Sequence, residues 1–234
     1  MNSLLVTGSD TEVGKTAVTT ALAAYWLAHR RDRLALLKLV QTGTGDRERY
    51  QHLFADLEQT SEELAPQCFE TPVAPPIAAT RAGRSVDLGA IWQTLTHLQQ
   101  TRDFVLIEAL GGLGSPVTAE LTVADVAAAW RLTSILVIPV KLGAIAQAVA
   151  NVALARQTQV DLHGIVLNCS TPIAPDRLAD WAPIETITAL TQVPVLGVLP
   201  FLEDPDDRSA LAAAASNLEI ERLWPVSAPL LEIH

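Results

Sequence analysis

Cysteine, basic charge and unbroken apolar runs are all scarce in this chain, and each scarcity closes off a class of function. Two cysteines, Cys68 and Cys169, occur in 234 residues. Cys169 closes an apolar run and Cys68 falls in a proline-rich loop, so they read as separate thiols, not as a disulfide framework or a zinc site. The five histidines are scattered, with no pair at ligand spacing on one helix turn. Lysine and arginine number 16 against 26 acidic residues, giving a net charge of −10 and a pI of about 4.9. A general nucleic-acid binder needs a basic face to displace counterions from phosphates, so no nucleic-acid partner is expected. The longest apolar stretches are cut by Asp125, Arg131 and Lys141, which leaves no membrane span. The chain runs straight into Ser3-Leu4-Leu5-Val6-Thr7 with no basic leader, and a cytoplasmic address is the expectation by default.

What is present is a globular composition, 49% hydrophobic and 18% charged, in a length that suits one domain over residues 1–234. Short apolar runs predict strands at Leu4–Thr7, Leu34–Lys38, Phe104–Glu108, Ser134–Val140, Gly164–Asn168 and Val195–Leu199. Several are apolar at consecutive positions, as a strand covered on both faces must be. Helix-like segments lie between them at Thr16–Ala28, Leu88–Gln100, Ile145–Arg156 and Pro175–Leu190. That alternation implies right-handed crossovers and an α/β three-layer sandwich around a mainly parallel sheet. Thr42–Arg84 breaks the pattern: it is polar and proline-rich, with a helix expected near Arg47–Leu57 and long loops beyond. After Asp204 a closing helix and a loose tail are expected.

The strongest motif is Gly8-Ser9-Asp10-Thr11-Glu12-Val13-Gly14-Lys15-Thr16, placed between a predicted strand and a predicted helix. Its glycines permit a tight path in which successive amide N–H groups turn inward toward phosphate oxygens. The helix that opens there adds its positive end. Lys15 supplies a cation for the β and γ phosphates, and Thr16 a hydroxyl ligand for magnesium. Five residues separate Gly8 from Gly14, one more than the usual phosphate loop allows, which marks a subgroup of P-loop folds.

In open α/β sheets ligands sit outside the carboxyl ends of the strands, and several polar residues stand there. Glu108 closes a buried run and precedes Ala109-Leu110-Gly111-Gly112, which makes it a candidate magnesium ligand. Lys38 ends the second strand, where a further cation can stabilise charge in phosphoryl transfer. Thr42 and Gly43 follow it toward the same mouth. Asp46 is either another magnesium ligand or a helix N-cap before Arg47, or both. Lys141 is catalytic, structural or snorkelling. Asn168 and Pro200-Phe201-Leu202 end the last two strands, on the side where a purine can sit.

Taken together, these segments resemble the dethiobiotin synthetase family. The phosphate loop is close to the family's Gly-Thr-Asp-Thr-x-Val-Gly-Lys-Thr. Lys38-Leu39-Val40-Gln41-Thr42-Gly43 is similar to its Lys-Pro-Val-x-Ser/Thr-Gly segment, and matches continue in order through about residue 205. The resemblance implies a P-loop NTPase fold and a reaction that joins carbon dioxide to 7,8-diaminopelargonate with ATP and magnesium, giving dethiobiotin, ADP and phosphate. It implies that Lys15 and Lys38 stabilise the γ-phosphoryl group and the mixed anhydride, and that Thr11 and Thr42 bond the carbamate or amine side. Thr16, Asp46 and Glu108 would hold magnesium. Glu12, Val13, Gly14, Ala17, Ala109, Leu110 and Gly111 would surround the nucleotide, with Asn168, Cys169, Pro200, Phe201 and Leu202 on the adenine side. It also implies a homodimer whose substrate site draws on both chains.

The chain departs from the family pattern at Leu39, Pro76, Ala109-Leu110 and Ala146, where Pro, His, Gly-Ala and Asn are usual. Three other readings use the same residues. A cobyrinate-type amidating synthetase has a similar loop but needs a glutaminase domain for which this chain has no room. A partitioning-type ATP switch carries an early loop lysine, and here Ser9, Asp10 and Thr11 fill that part. A diverged member that keeps only nucleotide binding is the third.

Overall fold

The computed structural model describes residues 2–30 and 33–223. The strands are β1 (Ser3–Gly8), β2 (Leu34–Lys38), β3 (Gln41–Thr42), β4 (Cys68–Phe69), β5 (Phe104–Glu108), β6 (Ser134–Pro139), β7 (Leu162–Asn168) and β8 (Val195–Leu199). Among the described residues, six of them form a parallel sheet in the order β2-β5-β1-β6-β7-β8. All six coincide with the strands predicted from apolar runs, to within two residues at their ends. The pair β3–β4 is a separate parallel ribbon, so Cys68 lies in a short strand and not in a loop.

Alternation within each strand explains why both faces had to be apolar. Leu4, Val6, Leu34, Leu36, Leu106, Ile135 and Val137 point into one core, and Leu5, Ala35, Leu37, Ile107, Leu136 and Ile138 into the other. The first core is covered by α1 (Lys15–His29), α2 (Asp46–Leu53), α3 (Ser61–Leu64) and, at the far end of the chain, α10 (Arg208–Ala215). The second is covered by α4 (Pro75–Arg81), α5 (Leu88–Thr101), α6 (Val123–Ala129), α7 (Ala144–Gln157), α8 (Pro175–Trp181) and α9 (Ile184–Thr191). Three layers result, as the sequence pattern implied.

The helices differ from expectation in several places, and the long loops expected after Leu57 contain the short helices α3 and α4. The single helix expected over Pro175–Leu190 is two, α8 and α9, broken at Ala182-Pro183. Pro183 has no N–H to donate, and it drives Ala182 out of the helical region to φ −138°, ψ 59°. The helix expected near Arg47–Leu57 ends at Leu53 and passes into a 3-10 turn over Ala55–Leu57. Helix α6 was not anticipated, although Thr122 and Asp125 cap it reciprocally. The closing helix is α10, and the tail expected beyond it lies mostly outside the described residues. No described helix is long and apolar enough to cross a membrane.

Candidate active site

Strand order decides which side chains meet. Because β5 lies between β2 and β1, their three carboxyl ends are neighbours, and Lys38 stands directly beside Glu108 in the register. The chain leaving β1 at Gly8 becomes the phosphate loop, and it turns into α1 at Gly14. Two loop residues, Glu12 (φ 58°) and Gly14 (φ 96°), occupy positive φ. A Cβ on Gly14 would lie 2.0 Å from Asn168 Nδ2, so the glycine is required by contact as well as by backbone conformation. Asn168, at the end of β7, donates through Nδ2 to the Val13 carbonyl at 3.0 Å and so ties the loop to the sheet. On its other side the loop packs against Gly112, whose added Cβ would come within 2.7 Å of the Ser9 carbonyl oxygen. The Ser9 hydroxyl donates to Gln147 Oε1 of α7 at 2.9 Å.

Lys15 folds back over the loop and donates to the Asp10 carbonyl at 2.8 Å. Burial brings its pKa down to about 8, with the Lys38 charge adding to the effect against the opposing pull of Glu108 and Asp46. Lys38 Nζ lies 2.6 Å from both Asp46 Oδ2 and Glu108 Oε1, and donates to the Ala109 carbonyl at 3.3 Å. Burial alone would lower the Lys38 pKa, but the two carboxylates outweigh it and raise it. For Asp46 burial likewise opposes ionisation, and the Lys38 ammonium overrides it, so its pKa is lowered. The Thr16 hydroxyl lies 3.0 Å from both Asp46 Oδ1 and Glu108 Oε1 and can donate its proton to either.

Asp46 reaches this cluster because α2 starts at it. Gly45 is the N-cap, at φ 137°, and its N–H donates to Glu48 at 2.8 Å, which holds the Glu48 carboxyl at about 2. The N-cap alternative for Asp46 is therefore corrected: Asp46 is the first helical residue, and its carboxylate turns to Lys38 and Thr16. One helical turn later Tyr50 projects from the same face, and its hydroxyl donates to Glu108 Oε2.

The donor set suits a hard divalent cation that keeps waters and phosphate oxygens. Among the described residues no group of three or more His, Cys, Asp or Glu forms a metal cage. Two carboxylates and one hydroxyl converge instead, with the Thr16 hydroxyl 3.0 Å from one oxygen of each carboxylate. Adjacent ligands around octahedral magnesium stand about 3 Å apart, given bonds of about 2.1 Å.

A family model described as an AAA domain matches residues 2–209. The ATP-dependent dethiobiotin synthetase of Gloeothece citriformis is 57% identical, over 97% of this chain and all of that one. The corresponding synthetase of Crocosphaera subtropica is 52% identical over 96% of this chain and all of its own length. The chain belongs to the dethiobiotin synthetase family. That of Bacillus subtilis subsp. natto, at 29% identity over 95% of this chain and 97% of that one, marks a more distant relative in the family. Two solved structures share the fold at low identity. The MinD cell division protein of Aquifex aeolicus has a TM-score of 0.55 at 15% identity, covering 97% of this chain and 92% of that one. A ParA family ATPase from Chlorobium tepidum has a TM-score of 0.52 at 12% identity, covering 94% and 91%.

In this dethiobiotin synthetase family member a cleft of about 450 Å³ gathers Thr11, Glu12, Gly14, Lys15, Thr16, Lys38, Thr42, Asp46, Glu108, Leu110 and Gly111. Thr11 and Thr42 also line an adjoining space of about 420 Å³, walled by Pro72–Pro75, Ser115 and Pro116. Cys169, Pro200 and Phe201 line a different, more apolar cleft of about 760 Å³ beside β7 and β8. Asn168 is behind the phosphate loop and lines neither cleft; it is 3% exposed. Val13 and Ala109 are in the core, Ala17 is half-buried, and Leu202 packs against the face covered by α1. Lys141 is exposed, and so are Leu142 and Ala146 on the approach to and first turn of α7. Val40 and Thr44 line the main cleft and Tyr50 stands behind it, and none was singled out from the sequence. The one signal for Tyr50 was its spacing of four from Asp46.

Proposed function

We propose that this protein carries out ATP-dependent carboxylation and ring closure of 7,8-diaminopelargonate to dethiobiotin, a step of biotin biosynthesis. One observation carries the reading: dethiobiotin synthetases match the chain over nearly its whole length, at 57% and 52% identity for two of them. The cleft chemistry supports it. One amine and carbon dioxide give a carbamate, whose oxygen attacks the γ-phosphorus as ADP leaves. The second amine then attacks the carbonyl carbon of the resulting carbamic-phosphoric anhydride, phosphate departs, and the ureido ring closes.

The residues of the chain have to position charge, because the substrates supply the attacking atoms. Lys15 and Lys38 hold cations where negative charge builds on the transferred phosphoryl group. Thr11 and Thr42 face both the main cleft and its neighbour, which fits hydroxyls that bond the carbamate or amine end. Thr16, Asp46 and Glu108 would hold magnesium, which when bound neutralises phosphate oxygens. Cys169 and Pro200–Leu202 are the candidates for the adenine side, with Asn168 setting the loop from beneath. The reading extends to a homodimer in the cytoplasm and to a single synthetase domain. The test is release of ADP and phosphate with ATP, magnesium and bicarbonate, with and without the diamine. Diamine-dependent release with dethiobiotin detected by mass spectrometry is expected. Slow ATP hydrolysis that ignores the diamine would overturn the proposal in favour of a nucleotide switch or a diverged member.

A further inference from the structure

Glu108 uses its two oxygens in opposite directions. Oε1 faces the cleft, 2.6 Å from Lys38 Nζ and 3.0 Å from the Thr16 hydroxyl. Oε2 points away from it and accepts from the hydroxyl of Tyr50, which is 1% exposed and does not line the cleft. A phenol hydroxyl buried without a partner is costly, and this contact with Glu108 satisfies it. The tie also differs from the others in when it can persist. Lys38 is shared between two carboxylates, and phosphate oxygens in the cleft would compete with them for its charge. The Tyr50 contact lies on the far side and is untouched by that exchange.

We propose that Tyr50 is a positioning residue that locks Glu108 with a single oxygen, Oε1, turned toward the nucleotide-bound divalent cation. This rests on the reading of Thr16, Asp46 and Glu108 as the magnesium set. The geometry gives the tyrosine a second effect, because Asp46 and Tyr50 sit one turn apart on α2. Docking that one helix delivers a carboxylate to the cleft and fixes the other carboxylate from behind.

The test compares the full-length protein with Tyr50→Phe, which keeps the ring and removes the hydroxyl. Manganese serves as the probe, with its free fraction read by electron paramagnetic resonance in the presence of ADP. Loss of an outer hydrogen bond to a metal ligand typically weakens metal binding about 10- to 100-fold, so a manganese affinity reduced at least about tenfold is expected. ADP affinity in EDTA should stay at the wild-type value, and the magnesium concentration for half-maximal turnover should rise while kcat at saturating magnesium recovers. Tyr50→Met, also without the hydroxyl, should lose the same manganese affinity. In a Glu108→Ala background, which leaves no carboxylate to lock, Tyr50→Phe should add nothing. Unchanged manganese affinity, or a lowered melting temperature as the sole effect, overturns the proposal, as does an equal loss in the Glu108→Ala background. The manganese readout needs no diamine, so failure of the synthetase reading would show separately, as wild-type protein that binds manganese and ADP but forms no dethiobiotin.

Discussion

Replacing Gly14 with alanine tests how the phosphate loop is held. Two costs can be worked from the structure. At φ 96° an L-residue is strained, by about 1–2 kcal/mol. The new Cβ would also stand 2.0 Å from Asn168 Nδ2 and 2.6 Å from its Cγ, so the amide must swing away. Asn168 is buried, and moving it breaks the 3.0 Å bond to the Val13 carbonyl, which costs a further 1–3 kcal/mol or so. The sum is about 3 kcal/mol, which for a chain of this size lowers the melting temperature by roughly 6–12 °C. The second cost and the substitution Asn168→Ala remove the same bond, and that makes the reasoning testable by a double-mutant cycle. Asn168→Ala should cost about 1–3 kcal/mol alone and almost nothing once Gly14→Ala is present. Urea unfolding monitored by circular dichroism supplies all four free energies. If the two substitutions prove additive, the amide is not what the Cβ displaces, and the account of the loop is wrong.

Lys15 makes a prediction about protons. Its folded pKa of about 8 lies below its unfolded value, so between about pH 8 and 10.5 the unfolded chain binds more protons. The burial penalty is therefore full below pH 8 and is relieved as pH rises through that window, which alkaline urea titrations should show as a stabilising trend absent in Lys15→Met. Nucleotide phosphates should restore the proton, so calorimetry at pH 8 in buffers of different ionisation enthalpy should find uptake of about half a proton per ADP. Lys38→Ala should leave ATP binding mostly intact and lose rate by about a hundredfold or more; a variant with full kcat refutes its catalytic assignment. Trp26, buried on α1 and stacked on Phe104 with ring centroids 4.8 Å apart, should cost about 3–5 kcal/mol as Trp26→Ala. Its folded fraction should still bind ADP, as measured after correcting for unfolded protein.

The central architecture was legible because each strand is apolar on both faces and each strand end carries its own signal. Gly8–Thr16, Lys38 and Glu108 could be placed near one another from chain position alone, since ligands in such sheets meet the carboxyl ends of strands. Strand order was not legible, and it is what sets Lys38 beside Glu108. The break at Pro183 was present in the sequence, but helical periodicity on both sides masked it. The ribbon β3–β4 is too short to leave a period. Asn168 was expected beside a purine, and its contact with Val13 could not be read from spacing because 155 residues separate them. Tyr50 was hidden for the opposite reason: it stands only four residues from Asp46, and an aromatic at helical spacing carries no signal beyond that of a core residue.

The lysine between Asp46 and Glu108 has a consequence for how the protein is made. Carboxylates gathered to receive a divalent ion repel one another, and in many small metal-binding folds that repulsion must be relieved by the ion before the chain can settle. Here Lys38, anchored on a sheet strand, brings the opposing charge with it. The newly synthesised chain carries its own counterion for the two carboxylates, and on the proposed reading of them as magnesium ligands it should fold without that ion. A chelator should silence such a protein and leave it standing.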